Sequence, residues 1–238
     1  VGSAFDDSLK GSNGANRLEG GAGIDTLDGQ GGNDVLLGGA EADRFIGGGG
    51  IDTADYSASA GRVTISLASG SGWYGDAAGD TFIGVEELVG SAFDDSLKGT
   101  GSANRLEGGD GDDTLDGLGG DDVLIGGAGA DALVGGSGLD TADYSASTGR
   151  VTVSLASGTG WYGHAAGDTL SGIEDVTGSA FDDSLKGSGG ANQLEGGAGD
   201  DTLDGQGGND VLIGGAGNDR MVGGGGNDRF VFANGVGD

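Results

Sequence analysis

Aspartate recurs in this sequence every nine residues. Asp25, Asp34 and Asp43 each stand in the sixth slot of a unit that opens on glycine and carries an apolar residue two places after the acid, Leu27, Leu36 and Phe45. Laid out in nines, the chain holds eighteen such units, six in each of the blocks 2–55, 90–143 and 178–231, reading roughly G-G-x-G-x-D-x-U-x with U apolar. The sixth slots are Asp7, Asn16, Asp25, Asp34, Asp43 and Asp52 in the first block. They are Asp95, Asn104, Asp113, Asp122, Asp131 and Asp140 in the second, and Asp183, Asn192, Asp201, Asp210, Asp219 and Asp228 in the third.

Carboxylates beside glycine-freed backbone carbonyls are hard oxygen donors. They suit Ca²⁺ or Mg²⁺ and suit poorly the softer metals that prefer imidazole or thiolate. Small octahedral Mg²⁺ tends to keep its waters, whereas a cage of many carbonyls fits six-to-eight-coordinate Ca²⁺. A lone Asp in a glycine-rich turn is ordinarily a turn former on a solvated acidic face. Strict register over eighteen units argues instead for a repeated ligand.

The elements that must position these acids follow from the same unit. Its x-U-x segment has one inward side chain between two outward ones, the strand period of two. Its glycines let the chain turn with φ > 0 and aim carbonyls at one point. Two units, eighteen residues, close one flattened coil with two short strands on opposite faces. Stacked coils form two parallel sheets with an apolar ladder between them, Leu9, Leu18, Leu27, Leu36, Phe45 and Ala54 in the first block. Neither sheet buries its face alone, so the stack is needed for stability. The expected fold is all-β, a right-handed parallel β-roll, a β-helix-like solenoid.

In such a coil, sixth-slot residues eighteen apart share an edge. Asp7 should converge with Asp25, Asp25 with Asp43, Asn16 with Asp34 and Asp34 with Asp52. With the equivalent pairs of the other two blocks this makes twelve candidate sites. Pairs containing Asn lack one negative charge and should hold a cation less tightly.

Composition agrees with a missing cation. The chain has 238 residues, 10 Lys and Arg against 39 Asp and Glu, and a formal charge of −29. Twelve dications would bring that to about −5. Such an acidic surface repels phosphate backbones and anionic lipid, which argues against nucleic acid as a partner. No apolar run of about 18 residues exists to span a bilayer, so membrane insertion is not expected. With 34% hydrophobic residues, weak burial must overcome strong self-repulsion, and the metal-free chain is expected to be disordered. The 61 glycines without any proline exclude collagen, and the absence of cysteine excludes disulfides and thiolate sites.

The string SAFDDSLKG starts at Ser3, Ser91 and Ser179, a spacing of 88 residues, so the blocks are tandem copies. Between them lie 56–89 and 144–177. There Val63–Leu67 alternates like a half-buried strand, and Asp80-Thr81-Phe82-Ile83 repeats the ending of a unit. Each stretch is 34 residues, two short of two coils, and is expected to continue the stack irregularly. The chain therefore reads as one elongated domain over 1–238 of about thirteen coils, on the order of 60 Å long at about 4.8 Å per coil. Asp80 and Asp168 are candidates to extend the metal ladder, although Asp76-Ala77-Ala78-Gly79 before Asp80 lacks the glycine pair. Phe5, Phe93, Phe181 and Glu41 replace the fourth-slot glycine of their units, which puts the local turn geometry in question.

The nonapeptide resembles the calcium-binding repeat of the repeats-in-toxin (RTX) family, the parallel β-roll, over the whole chain. The resemblance implies Ca²⁺ as cofactor, and a carbonyl pattern around it. The first turn of a pair gives the carbonyls of its second and fourth residues, and the turn eighteen residues later gives those of its first and third. The ion between Asp7 and Asp25 would then also touch Gly20 and Ala22, and that between Asp25 and Asp43 would touch Gly21, Gly23, Gly38 and Ala40. The corresponding residues later in the chain are Gly108, Gly109, Asp110 and Gly111, and Gly196, Gly197, Ala198 and Gly199.

The resemblance further implies a secreted, extracellular or cell-surface protein exported by a type I system, with a C-terminal signal and capping segment beyond 230–238. An uncapped roll exposes a sheet edge and is expected to stack end to end or lean on a neighbouring domain. Two parents fit: an adhesin or matrix protein, favoured by the tandem duplication, or a secreted protease, lipase or alginate epimerase with the roll as a non-catalytic appendage. The roll itself is not read as an enzyme. The single His164 stands where the preceding copy has Asp76, and no Ser/His/Asp set can be built on it. Trp73-Tyr74 and Trp161-Tyr162 recur at the 88-residue spacing. They are read either as a hydrophobic lid over a wide coil or as a sugar-stacking platform for a polysaccharide.

Overall fold

The computed structural model describes residues 1–232. Two sheets face one another, of fifteen and eleven strands. Strands eighteen residues apart pair in parallel, with apolar residues in register: Leu9 on Leu27, Leu27 on Phe45, Leu18 on Leu36 and Leu36 on Ala54. Many strands run six residues, as in Thr26–Gly31 and Val35–Ala40. The first half of each following turn therefore continues the ladder, and only the second half leaves it.

The core is the inner row of both sheets. Leu27, Leu36, Phe45, Leu106, Leu115, Leu124, Leu194, Leu203 and Leu212 are fully buried. Leu9 and Leu18, on the first rung, are only partly covered. Gly21 and Gly23 show why the turns need glycine, with φ of 112° and 105°. Glu41 takes the same fourth-slot position with φ 82°, a left-handed conformation costly for a residue with a Cβ. Phe5, Phe93 and Phe181 keep their turns and project into solvent.

The stretches between blocks do not make two further coils. In the larger sheet the first of them inserts three strands, Thr64–Ser66, Ser71–Trp73 and Thr81–Ile83, between Arg44–Gly49 and Ser96–Lys98. The middle strand is antiparallel to both neighbours, while Thr81–Ile83 continues parallel from Arg44–Gly49 and Thr64–Ser66 leads parallel into Ser96–Lys98. The smaller sheet gains one strand, Glu87–Val89, parallel to both neighbours. The second stretch repeats this with Thr152–Ser154, Thr159–Trp161, Thr169–Ser171 and Asp175–Thr177.

The aromatic pairs are not lids. Trp73 and Trp161 are each 46% exposed on the outside of the inserted hairpins. The inward position beside Trp73 is Gly72, and Ala77 from the 3-10 turn Gly75–Ala77 fills the space there. No helix among the described residues is long and apolar enough to cross a membrane. Residues 233–238 lie outside the described residues.

Candidate metal centre

After Asp7, which stands on the first rung, each sixth-slot carboxylate is held by the rung before it. The Asp7 amide donates to Asp25 Oδ1 at 2.7 Å, Asp25 to Asp43 at 2.8 Å, and Asp34 to Asp52 at 2.9 Å. The second block repeats this with Asp95 to Asp113 at 2.8 Å and Asp113 to Asp131 at 2.9 Å, and the third with Asp183 to Asp201 at 2.8 Å. One oxygen of each acid thus locks two coils together. The acids on one edge converge as the eighteen-residue spacing requires.

The second oxygen divides the acids into two groups. Oδ2 of Asp25, Asp34, Asp43, Asp52, Asp113, Asp122, Asp131, Asp140, Asp201 and Asp210 is buried without a hydrogen-bond partner. Leaving such an atom unmet is costly. Around eight of these oxygens there is a specific arrangement, with a carbonyl of the next rung facing the same small space that a first-slot glycine keeps open. A Cβ on Gly20 would collide with both Asp25 Oδ2 and Gly38 O, and one on Gly29 with Asp34 Oδ2 and Gly47 O. The same holds for Gly108 with Asp113 and Gly126, and for Gly196 with Asp201 and Gly214. On the last rungs a Cβ on Gly214 or Gly223 would collide with the Asp219 or Asp228 side chain alone.

The second group is closed. Asp7, Asp95 and Asp183 accept the amide of Ser3, Ser91 and Ser179 through Oδ2, and Asn16, Asn104 and Asn192 accept that of Ser12, Thr100 and Ser188 through Oδ1. These residues open each block. Of the twelve expected pairs, six therefore have a free oxygen on the earlier member and six have it satisfied by a serine or threonine turn.

Asp80 and Asp168 do join the ladder, accepting the amides of Asp43 at 2.7 Å and Asp131 at 2.9 Å. Their second oxygens are occupied. The buried Tyr56 hydroxyl donates to Asp80 Oδ2, and Tyr144 donates to Asp168 Oδ2 at 2.8 Å. Two further acids continue the other edge, Glu86 and Glu174, whose Oε2 atoms accept the amides of Asp52 and Asp140 at 3.1 Å. Sequence reasoning missed both glutamates and both tyrosines. It also missed a second ladder in the fifth slot, where Asp6, Asp94 and Asp112 accept amides from the following rung, as in Asp112 to Asp94 at 3.0 Å.

Burial pushes the free carboxyls up: Asp113 to about 8, Asp43 and Asp131 to about 7, Asp122 and Asp201 to about 6. Amide hydrogen bonds from the preceding rung oppose the rise, and like-charged neighbours add to it, Asp131 and Asp95 in the case of Asp113. Among the described residues no group of three or more His, Cys, Asp or Glu side chains converges on one point. A cage here has to draw on carbonyls as well as on carboxylates, which is the donor set of a hard dication. Orphaned oxygen, facing carbonyl and glycine-kept space together fit such an ion.

Trp73 and Trp161 stand apart from these edges. Arg62 lies 4.7 Å over the Tyr74 ring beside Trp73, and Arg150 lies 4.7 Å over Tyr162 beside Trp161.

A search of curated proteins finds no match. A family model described as the RTX calcium-binding nonapeptide repeat matches residues 1–27, 19–54, 80–115, 89–124, 107–142, 168–203, 177–212 and 195–230. These matches cover well over half the chain and leave out the inserted hairpins. The chain, with its stacked nonapeptide coils and its calcium-binding repeats, belongs to the RTX family.

Proposed function

We propose that this chain is a non-catalytic structural module of a secreted protein, an adhesin or matrix protein, and that calcium outside the cell switches on its folding. The observation that carries this reading is the free Oδ2 of Asp25 facing the Gly38 carbonyl in the space Gly20 keeps open, repeated through the blocks. On this reading the primary cages lie between Asp25 and Asp43, Asp34 and Asp52, Asp113 and Asp131, Asp122 and Asp140, Asp201 and Asp219, and Asp210 and Asp228. The carbonyls of Gly21, Gly23, Gly38 and Ala40 complete the first of them, and Gly109, Gly111, Gly126 and Ala128 its counterpart in the second block.

A bound dication neutralises acids that the fold would otherwise bury as bare charge. Everything else is done by the chain: the Asp amides fix the carboxyl orientation, the glycines keep the cage open, and the leucine ladder excludes water behind it. Ions that bind the folded state alone stabilise it with each filled site. Extracellular-grade sites, with Kd on the order of 10⁻⁴–10⁻³ M, are empty in a cytoplasm and filled outside. That difference supports export of an unfolded chain.

The test is circular dichroism during calcium titration, with magnesium as control. At about pH 8, coil-like spectra in chelator and a steep, cooperative gain of β signal in millimolar calcium support the reading. Equal structure in chelator and calcium contradicts it.

A second reading rests on Trp73 and Trp161, both half exposed in the same setting beside an Arg-covered Tyr. Such a surface suits sugar stacking. Replacing both by Ala should abolish retention on a polysaccharide, and unchanged retention removes that reading.

A further inference from the structure

Between Ile83 and Glu87 lie three residues, Gly84, Val85 and Glu86, whereas their register partners Ile46 and Thr53 are separated by six. Glu86 stands directly before the strand, where a nonapeptide has its sixth-slot aspartate, but the glycine turn that leads into that slot is missing. The structure nevertheless brings three oxygen donors to these two adjoining rungs. Asp52 is fully buried, and its Oδ2 has no partner. The Gly84 carbonyl faces the same space, since a Cβ on Gly47 would meet both Gly84 O and Asp52 Oδ2. Glu86, one methylene longer than the aspartate it replaces, reaches back across the shortened turn and takes the Asp52 amide on Oε2 at 3.1 Å. The Asp52 carbonyl in turn accepts the amides of Glu86 at 3.1 Å and Glu87 at 3.0 Å, so the turn is fixed at both ends.

The second copy has the same arrangement. Asp140 is fully buried with an orphaned Oδ2, and a Cβ on Gly135 would meet Gly172 O and Asp140 Oδ2. Glu174 Oε2 accepts the Asp140 amide at 3.1 Å. The flanking residues differ between copies, Val85 and Glu87 against Ile173 and Asp175, while the donors are unchanged.

We propose that Asp52 with Glu86 and Gly84, and Asp140 with Glu174 and Gly172, form two additional divalent-cation sites that close over the inserted hairpins. The inference deepens the calcium reading and rests on it. A carboxylate pair and a carbonyl are again the hard donor set that prefers Ca²⁺ to softer metals. The ligands of each site are 34 residues apart in the chain. An ion there ties the strand before each hairpin to the strand after it, and so holds in place the segment that carries Trp73 or Trp161.

Native mass spectrometry of the full chain, equilibrated with millimolar calcium, counts the bound ions directly. Glu86→Gln should lose one ion, Glu174→Gln one, and the double variant two, with the calcium-saturated β spectrum retained. Asp76→Asn, which removes a half-buried acid outside both ladders, should lose none. An unchanged ion count in the double variant overturns the proposal while leaving the nonapeptide cages intact. A wild-type chain that holds no calcium overturns the reading on which it rests, and the two failures are thus distinct. If the double variant loses its β spectrum, Glu86→Asp decides: an ion lost with the fold retained supports the site, and an ion kept overturns it.

Discussion

The Asp113 amide donates to Asp131 Oδ1 at 2.9 Å, while Asp113 Oδ1 itself accepts the Asp95 amide at 2.8 Å. One side chain therefore joins three successive rungs, and its remaining oxygen is free toward the Gly126 carbonyl. Asp113→Ala removes an acceptor from a buried amide and a donor from the cage at once. We expect the calcium midpoint followed by circular dichroism to rise severalfold for Asp113→Ala and to stay unchanged for His164→Ala, whose side chain belongs to neither ladder.

The cage can be tested without touching charge. A Cβ on Gly108 points between Asp113 Oδ2 and Gly126 O, whereas one on Gly14 meets nothing within 4 Å. Gly108→Ala should weaken calcium binding in a titration, and Gly14→Ala should leave it as in wild type. Equal effects would show that the space beside Asp113 holds no ligand.

Protons and calcium compete for the same oxygens. In the metal-free fold, burial raises Asp113 to about 8 and Asp43 and Asp131 to about 7, against about 3.9 in an unfolded chain. A raised carboxyl pKa stabilises the fold fully below about pH 4, and that contribution is lost as the pH climbs through 6–8. In chelator, β signal should therefore be greatest near pH 4 and disappear by pH 8. In calcium the dependence reverses, and the midpoint concentration should fall as the pH rises over the same window.

The tyrosine lock predicts stability loss at the inserts. Tyr56→Phe leaves Asp80 Oδ2 buried without its donor, which costs about 1–3 kcal/mol. Denaturant unfolding in saturating calcium should show that loss for Tyr56→Phe and for Tyr144→Phe. Tyr74→Phe, with its ring half exposed, should behave as wild type.

What the sequence made legible was whatever obeys its period. The nine-residue spacing placed Asp25, Asp34 and Asp43 on their edges, paired Leu27 with Phe45, and pointed to calcium, since each of these depends only on residues one coil apart. The hairpin Thr64–Trp73 breaks the period, and an alternating Val63–Leu67 reads the same whether its partner runs parallel or antiparallel. The Ser69-Gly70 pair, with Gly70 at φ 63°, was the available turn signal. Glu86 was hidden because a shortened turn and a longer side chain compensate each other, a relation visible only in three dimensions. Ser91 closing Asp95 was hidden for another reason: serine in the second slot satisfies the acid locally, and the nonapeptide pattern treats that slot as interchangeable with glycine.

The most direct test of the account is anomalous diffraction from crystals of this chain grown in calcium. The account predicts calcium peaks along both edges of the roll, between Asp25 and Asp43, Asp34 and Asp52 and their counterparts, each bounded by first-slot glycine and next-rung carbonyl. Stacked coils without anomalous density at those positions would contradict it.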